Sequence, residues 1–324
     1  MHEDRLRVLL VCHSASSISA QSRPFREALH RHFEIREHHV EDGWPTSVAD
    51  FRDYNDFDVI AWFVRFRLLS IQHGFDWRDF SGRRVWVTWD AHQDFARMTS
   101  GELYGLWPDV FRRMKFQTLV CTGRRTADHF GGLGIDSAFI PKAFPGGKFS
   151  DLGLGRSGYG FYGTHYHSRA AMLDYLRHHR VPVETLKVPF DALNRELNRY
   201  AGIVTCNLQG IVTSAWSRAL HRLRPRWGVR LEPGPELMLR NFEVAASGCC
   251  GFCDEVPEMS ELGFVDGETV LTYRSFDELV EKMRYYKNSP ELVAIGKRAA
   301  QLAADRHTWD HRMAMFRAVF QAAP

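Results

Sequence analysis

No apolar run in this 324-residue chain approaches the roughly 18 residues that a membrane-crossing helix needs, which excludes helical spans. The start, MHEDRLRVLLVCHS, enters a strand pattern at once and lacks the long apolar segment and cleavage site of a secretion signal. The imbalance between positive and negative charge is also small. A net +3 with histidines neutral is too mild to argue by itself for a nucleic-acid or membrane surface. The turn after the first strand has no G-x-G-x-x-G, so the dinucleotide fingerprint of a dehydrogenase is missing there. Cysteine is limited to six residues, most of them inside apolar runs such as Val11-Cys12 and Val120-Cys121, as in reduced, buried thiols. Cys249, Cys250 and Cys253 invite a zinc reading, but no second ligand pair lies near them, so they read as core residues of a strand and no metal is expected. Internal repeats and low-complexity tracts are absent. These absences together predict a soluble, cytoplasmic protein without a membrane partner.

What is present is an alternation of strand and helix patterns in a chain long enough for two cores. Short apolar runs at Arg7–Cys12, Asp58–Val64, Arg84–Trp89 and Thr118–Cys121 are separated by helical segments, the signature of a parallel sheet covered on both faces. Pro141 to Ser157 is rich in glycine and turn signals and reads as a linker. The pattern then restarts, with strands at Tyr159–Tyr162, Val183–Val188, Ile203–Cys206 and Cys250–Cys253 and helices between and after them. The expected fold is α/β, with two Rossmann-like domains at 1–148 and 149–306 and a terminal helix at 307–324.

The stretch from Pro233 to Glu258, PGPELMLRNFEVAASGCCGFCDEVPE, concentrates the most chemistry. Gly234 suits an N-cap, Pro235 the first helical position and Gly248 a left-handed C-terminal cap. A helix so placed puts Glu236, Arg240 and Glu243 on one face, at i, i+4 and i+7. One reading is a solvated face with a Glu-to-Arg ion pair. The other is a nucleotide-binding helix whose start, including Leu237, faces a diphosphate while a carboxylate holds a ribose diol.

From about Arg240 onward the chain resembles the CgeB-type spore-maturation proteins, part of the larger group of glycosyltransferases similar to glycogen and sucrose synthases. The residues that carry the likeness are Arg240-Asn-Phe-Glu243, Ala245-Ala-Ser-Gly248, Phe276-Asp-Glu-Leu279, Met283-Arg-Tyr-Tyr286, Ser289-Pro-Glu291 and His307-Thr-Trp-Asp-His311. The resemblance implies the GT-B architecture, two sheets facing across a cleft with the last helix crossing back to the first domain. It also implies a nucleoside-diphosphate sugar as donor, UDP- or GDP-linked, with no cofactor and no obligatory metal, and transfer with retention. It places Glu243 at the ribose. The related enzymes carry a second glutamate eight residues earlier, where this chain has Pro235, and Glu236 misses the spacing by one.

The resemblance also sets a basic residue near the phosphates after the first strand of the second domain, which marks Arg169 and the preceding Gly163, Thr164 and His165. Arg240 fits either phosphate or Glu236. In the first domain, the turn after strand one offers His13, Ser14, Ser16 and Ser17 to an acceptor or sugar, or is an ordinary flexible loop. Asp90 and His92 follow the Arg84–Trp89 strand. They read as catalytic, Asp90 as general base or acceptor-orienting group, or else Asp90 is only a helix N-cap. The arginine-rich segment 216–230 reads as a solvated loop or as a grip on phosphate or nucleic acid. The expected activity is glycosyl transfer to an unidentified saccharide, small-molecule or macromolecular acceptor. The alternatives are a non-catalytic binding or assembly protein of the same fold, or a transferase for a phosphorylated or nucleic-acid acceptor.

Overall fold

The computed structural model describes residues 5–14, 22–95, 103–165, 167–207 and 234–322. Ser16, Ser17 and the arginine-rich segment 216–230 therefore lie outside the described residues. Two compact units form, the first from described residues up to Phe95, those from 103 to Pro141 and those from Trp309 onward, the second spanning Lys142–Thr308.

In the first unit six parallel strands run in the order β2-β1-β3-β4-β5-β6. They are β1 (Arg7–Cys12), β2 (Glu34–His39), β3 (Val59–Phe63), β4 (Arg83–Thr88), β5 (Thr118–Cys121) and β6 (Ser137–Phe139). Helices α1 (Arg23–His32), α2 (Phe66–Ser70), α3 (Trp107–Arg113) and α4 (Arg124–Gly132) connect them. The central strands β1, β3 and β5 are buried along nearly their whole length because helices cover both faces, which is why they read as unbroken apolar runs. Trp86, Trp107 and Phe66 stack in series, with ring centroids 5.0 and 4.1 Å apart.

The chain's last helix, Trp309–Gln321, belongs to this first unit. Trp309 stacks on Trp89 at 5.7 Å and meets Phe25 at 5.0 Å, while Phe320 meets Phe33 at 5.3 Å. Burying Phe25 and Phe316 contributes about 1.5–3 kcal/mol each. Asp310 adds contacts to Arg31 and His32, both at 2.9 Å.

In the second unit five parallel strands run β11-β10-β9-β7-β8. They are β7 (Tyr159–Tyr162), β8 (Glu184–Leu186), β9 (Gly202–Thr205), β10 (Cys250–Asp254) and β11 (Leu271–Tyr273). The helices are α5 (His167–His178), α6 (Phe190–Leu197), α7 (Leu239–Ala246), α8 (Phe276–Tyr285) and α9 (Pro290–Arg306). The boundary expected at 148/149 moves to 141/142, and His307 and Thr308 stay with the second unit. Hydrogen bonds decide this: the Phe144 N–H donates to the His307 carbonyl at 3.1 Å, and His307 donates through Nε2 to the Leu262 carbonyl at 2.8 Å. All six cysteines are buried and none is in a disulfide, with Cys249, Cys250 and Cys253 in or beside β10.

The largest correction concerns α7. It starts at Leu239, with Met238 as N-cap, and not at Gly234-Pro235. Gly234 is needed for close packing, since a Cβ there would sit 2.9 Å from the Asn207 Cβ. The Leu237 and Met238 N–H groups bond to side chains outside a helical turn, the latter to Asn241 Oδ1 at 3.1 Å and Asn207 Oδ1 at 3.3 Å. That extended path keeps Glu236 off the helix, so the expected shared face of Glu236, Arg240 and Glu243 does not form. The other end behaves as expected. Gly248 has φ +72° just past the Ser247 C-cap, and its carbonyl oxygen would lie 2.2 Å from a Cβ on Gly296 of α9, so α9 packs there only as glycine.

No described helix is long and apolar enough to cross a membrane.

Candidate functional site

Open parallel sheets bind ligands at the carboxyl ends of their strands, and in the second unit that edge is unusually polar for its burial. Glu236, Glu243, Asp254 and Glu258 are each only 1% exposed there, together with Lys142, Arg169 and Asn207. Asn241 ties the start of α7 to the strand ends, donating through Nδ2 to Thr205 Oγ1 at 3.0 Å and to Cys253 Sγ at 2.9 Å. Asn207 does the same from the end of β9, its N–H reaching Asp254 Oδ1 at 2.6 Å. Among the described residues nothing accepts from the N–H groups of Leu239 and Arg240, the first two of the helix.

Arg240 lies half-buried on that first turn. Its Nη1 donates to the Tyr162 carbonyl at 3.3 Å, and its guanidinium lies 5.8 Å from the Tyr162 ring centroid. Gly163 makes room for it: the φ of +124° suits glycine, and a Cβ would fall 2.5 Å from Arg240 Nη1. Neither Glu236 nor Glu243 forms an ion pair with Arg240. Glu243, one turn further along α7, accepts a short hydrogen bond from the buried Tyr162 hydroxyl. Burial pushes the Glu243 carboxyl up to about 6, against the lowering effect of the Tyr162 bond and of Arg240. The same burial, and then the nearby Glu243 charge, raises Tyr162 well above the usual phenol range.

Arg169 sits close by at the start of α5, donating to the Cys206 carbonyl through Nε and to the Thr164 carbonyl through Nη1, both at 3.1 Å. It is buried, not the solvent-exposed alternative. Thr164 and His165 are exposed on the same loop, with the His165 ring 5.5 Å from Phe161. Glu236 pairs with Lys142 at 2.5 Å, a partner 94 residues away that sequence spacing had no means of finding. The Leu237 N–H, expected to face a phosphate, donates instead to Glu258 Oε1 at 2.7 Å.

In the first unit, His13 and Ser14 are organised by Glu41. His13 Nδ1 donates to Glu41 Oε1 at 2.9 Å while its Nε2 accepts the Arg65 N–H at 3.2 Å, which fixes the ring tautomer. The Ser14 N–H donates to Glu41 Oε2 at 2.8 Å. Asp90 and His92 part ways: Asp90 is exposed and its side chain caps nothing, whereas His92 is 2% exposed. The carboxylate with an evident structural partner on this loop is Asp94, which accepts the Trp107 N–H at 3.0 Å and lies 2.9 Å from His129 Nε2. Cys12, Glu37 and His39 bring ligand atoms within 4.8 Å of one another, but Arg26 already pairs with Glu37.

Sequence reasoning missed Lys142, Asn207, Asp254 and Glu258. Only the acidic character of the segment from Asp254 to Glu258 signalled the last two. Burial raises Asp254 to about 7 and Glu258 to about 7, so the folded protein holds protons there that the unfolded chain has released. Because the folded-state values are raised, these groups destabilise the fold progressively as pH climbs from about 4 to about 7. Glu37 acts in a lower window. Hydrogen bonds from Arg26, His39 and His30 outweigh burial and bring it to about 2, so its contribution is complete above about pH 4.5 and lost toward pH 2. Thermal midpoints measured from about pH 5 to pH 8 are expected to fall, and Asp254→Asn is expected to flatten that fall. An unchanged slope in the variant would remove Asp254 as the cause.

Residues 213–318 match the glycosyl transferase-like family. No curated protein sequence matches. Among solved structures, the chain is similar to sucrose-phosphate synthase from Thermosynechococcus elongatus, at 11% identity and TM-score 0.61, covering 98% of this chain and 100% of that one. It is similar to Anabaena HepE in complex with UDP-glucose, at 10% identity and TM-score 0.61, covering 97% and 99%. It is also similar to AviGT4, a glycosyltransferase of avilamycin A biosynthesis, at 12% identity and TM-score 0.57, covering 98% of each chain. The fold is that of the GT-B glycosyltransferases. Nothing in these comparisons is specific to CgeB-type proteins.

Proposed function

We propose that this protein transfers a glycosyl group from a nucleoside-diphosphate sugar to an acceptor, with retention and without a metal or other cofactor. The observation that carries the reading is the start of α7, where the Arg240 guanidinium, seated over Gly163, joins two N–H groups that no described residue engages. The donor's diphosphate belongs there, with Arg169 at the start of α5 beside it. As the sugar–phosphate bond breaks, negative charge builds on the leaving diphosphate, and donors already oriented toward it lower the barrier most. Glu243 is assigned to the ribose, exchanging its Tyr162 contact for the diol. Thr164 and His165 stand at the loop that would flank the donor. His13, Ser14 and Asp90 are assigned to the acceptor side, and the burial of His92 argues against its acting there. The family match over 213–318 and the HepE complex with UDP-glucose support a nucleotide-sugar donor.

A second reading, a binding protein of the same fold without transfer, is favoured by two observations. Pro235 stands where the related enzymes have a glutamate, and Glu258 occupies the Leu237 N–H. Incubation with UDP-glucose and with GDP-glucose separates the readings. A raised thermal midpoint together with release of the nucleoside diphosphate is expected of the enzyme. A raised midpoint with no release establishes the binding protein. No response to any nucleoside-diphosphate sugar rejects both.

A further inference from the structure

Two carboxyl groups at the carboxyl edge of β10 are given no role in sugar transfer above. Asp254 ends the strand, and Glu258 follows four residues later. Both are 1% exposed, yet Asp254 Oδ2 and Glu258 Oε2 have no hydrogen-bond partner among the described residues. A buried ionised carboxylate left half-satisfied is costly, and the cost falls when the group holds a proton. Their other oxygens are engaged at the start of α7, Glu258 Oε1 with the Leu237 N–H and Asp254 Oδ1 with Asn207, whose own Oδ1 meets the Met238 N–H. Each therefore sits against the place assigned to the donor's diphosphate.

We propose that Asp254 and Glu258 take up protons when a nucleotide sugar binds, so that this buried edge exchanges carboxylate charge for phosphate charge. The inference rests on the placement of the diphosphate at α7. The charged groups around the pair set its direction. Asp254 feels Arg169 from α5 and Arg240 from α7, which favour its ionised form, and it lies beside Cys253 of β10 and Tyr273 of β11. Glu258 is favoured as an anion by Lys142 and disfavoured by Glu236. In the free protein burial outweighs these cations and brings both groups to about 7, so each is part-protonated near neutrality. A diphosphate draws on the same cations and adds like charge next to both carboxyls. Both effects raise their proton affinity. Binding is then tighter when protons are available, and by linkage bound donor carries proton uptake with it.

UDP-glucose is the suitable probe, because its pyrophosphate diester has no ionisation of its own in the neutral range, unlike free UDP. Titration of the full chain with UDP-glucose at constant ionic strength is expected to give affinity at least about fivefold weaker at about pH 8.5 than at about pH 6. Calorimetry at about pH 7 in two buffers of different ionisation enthalpy is expected to show net proton uptake on binding. Glu258→Gln keeps an oxygen for the Leu237 N–H, and Asp254→Asn keeps one for Asn207. Each is expected to reduce both the pH slope and the uptake, and the double variant to abolish them. Calorimetry on the unaltered protein keeps the test decisive if either variant folds poorly. Binding with a flat pH profile and no uptake, or binding that tightens as pH rises, overturns the proton coupling while leaving the donor site intact. No binding of UDP-glucose or GDP-glucose at any pH overturns the donor site and the coupling with it.

Discussion

Replacing Lys142 by methionine is expected to destabilise the second unit by up to about 3–5 kcal/mol, the usual range for removing one member of a buried ion pair. Lys142 and Glu236 are 5% and 1% exposed, with Nζ and Oε1 2.5 Å apart, so solvent does little to screen either charge. Methionine preserves most of the lysine stem, so the loss measures the missing ammonium charge more than lost packing. The double variant Lys142→Met, Glu236→Gln is expected to recover most of the loss at neutral pH. Chemical denaturation of the single and double variants, compared at equal slope, is the measurement. If the single variant matches the parent, the pair has no structural weight and Glu236 becomes available for a role at the donor sugar.

The second large effect belongs to Arg240. Arg240→Ala is expected to lower kcat/KM with a UDP-sugar donor by about 100-fold, from loss of charge-assisted bonds to phosphate worth about 1.5–3 kcal/mol each. Arg240→Lys is expected to restore little, since a point charge replaces a planar fork. A more discriminating variant leaves the arginine in place. Gly163→Ala puts a Cβ 2.5 Å from Arg240 Nη1 at a backbone φ of +124°, which forces the guanidinium to move. It is expected to reproduce much of the Arg240→Ala defect in donor affinity while thermal stability falls by only about 1–2 kcal/mol. Full donor affinity in Gly163→Ala would mean that Arg240 acts from another position, or not at all.

Much of the architecture was readable in the chain because both sheets are parallel and covered on both faces. Strands such as β1, β5 and β7 then appear as compact apolar runs, and their limits in the structure agree with the sequence reading to the residue. Glycine at 248 was readable for the same local reason, a left-handed backbone that favours the absence of a Cβ. Capping logic failed at the other end of that helix. Pro235 and Gly234 satisfy the local rules for a helix start, but other side chains set the path: the distant Glu258 and Asn207, together with the nearby Asn241, take the N–H groups of Leu237 and Met238. The helix that results is shorter, and the face expected to unite Glu236 with Arg240 does not exist.

The candidate site divides along the same line. By itself the sequence determined the alternation of strands and helices and the two-sheet plan, because both follow from periodicity, whereas Arg169 and Glu243 were singled out through the family resemblance. Only the tertiary structure decided that Glu236 answers to Lys142, that Glu243 is held by Tyr162, that His92 is interior while Asp90 is not, and that Asp254 and Glu258 are carboxyls sealed from water. Burial and long-range pairing set the charge state of an acid, and neither is written in the residues that flank it.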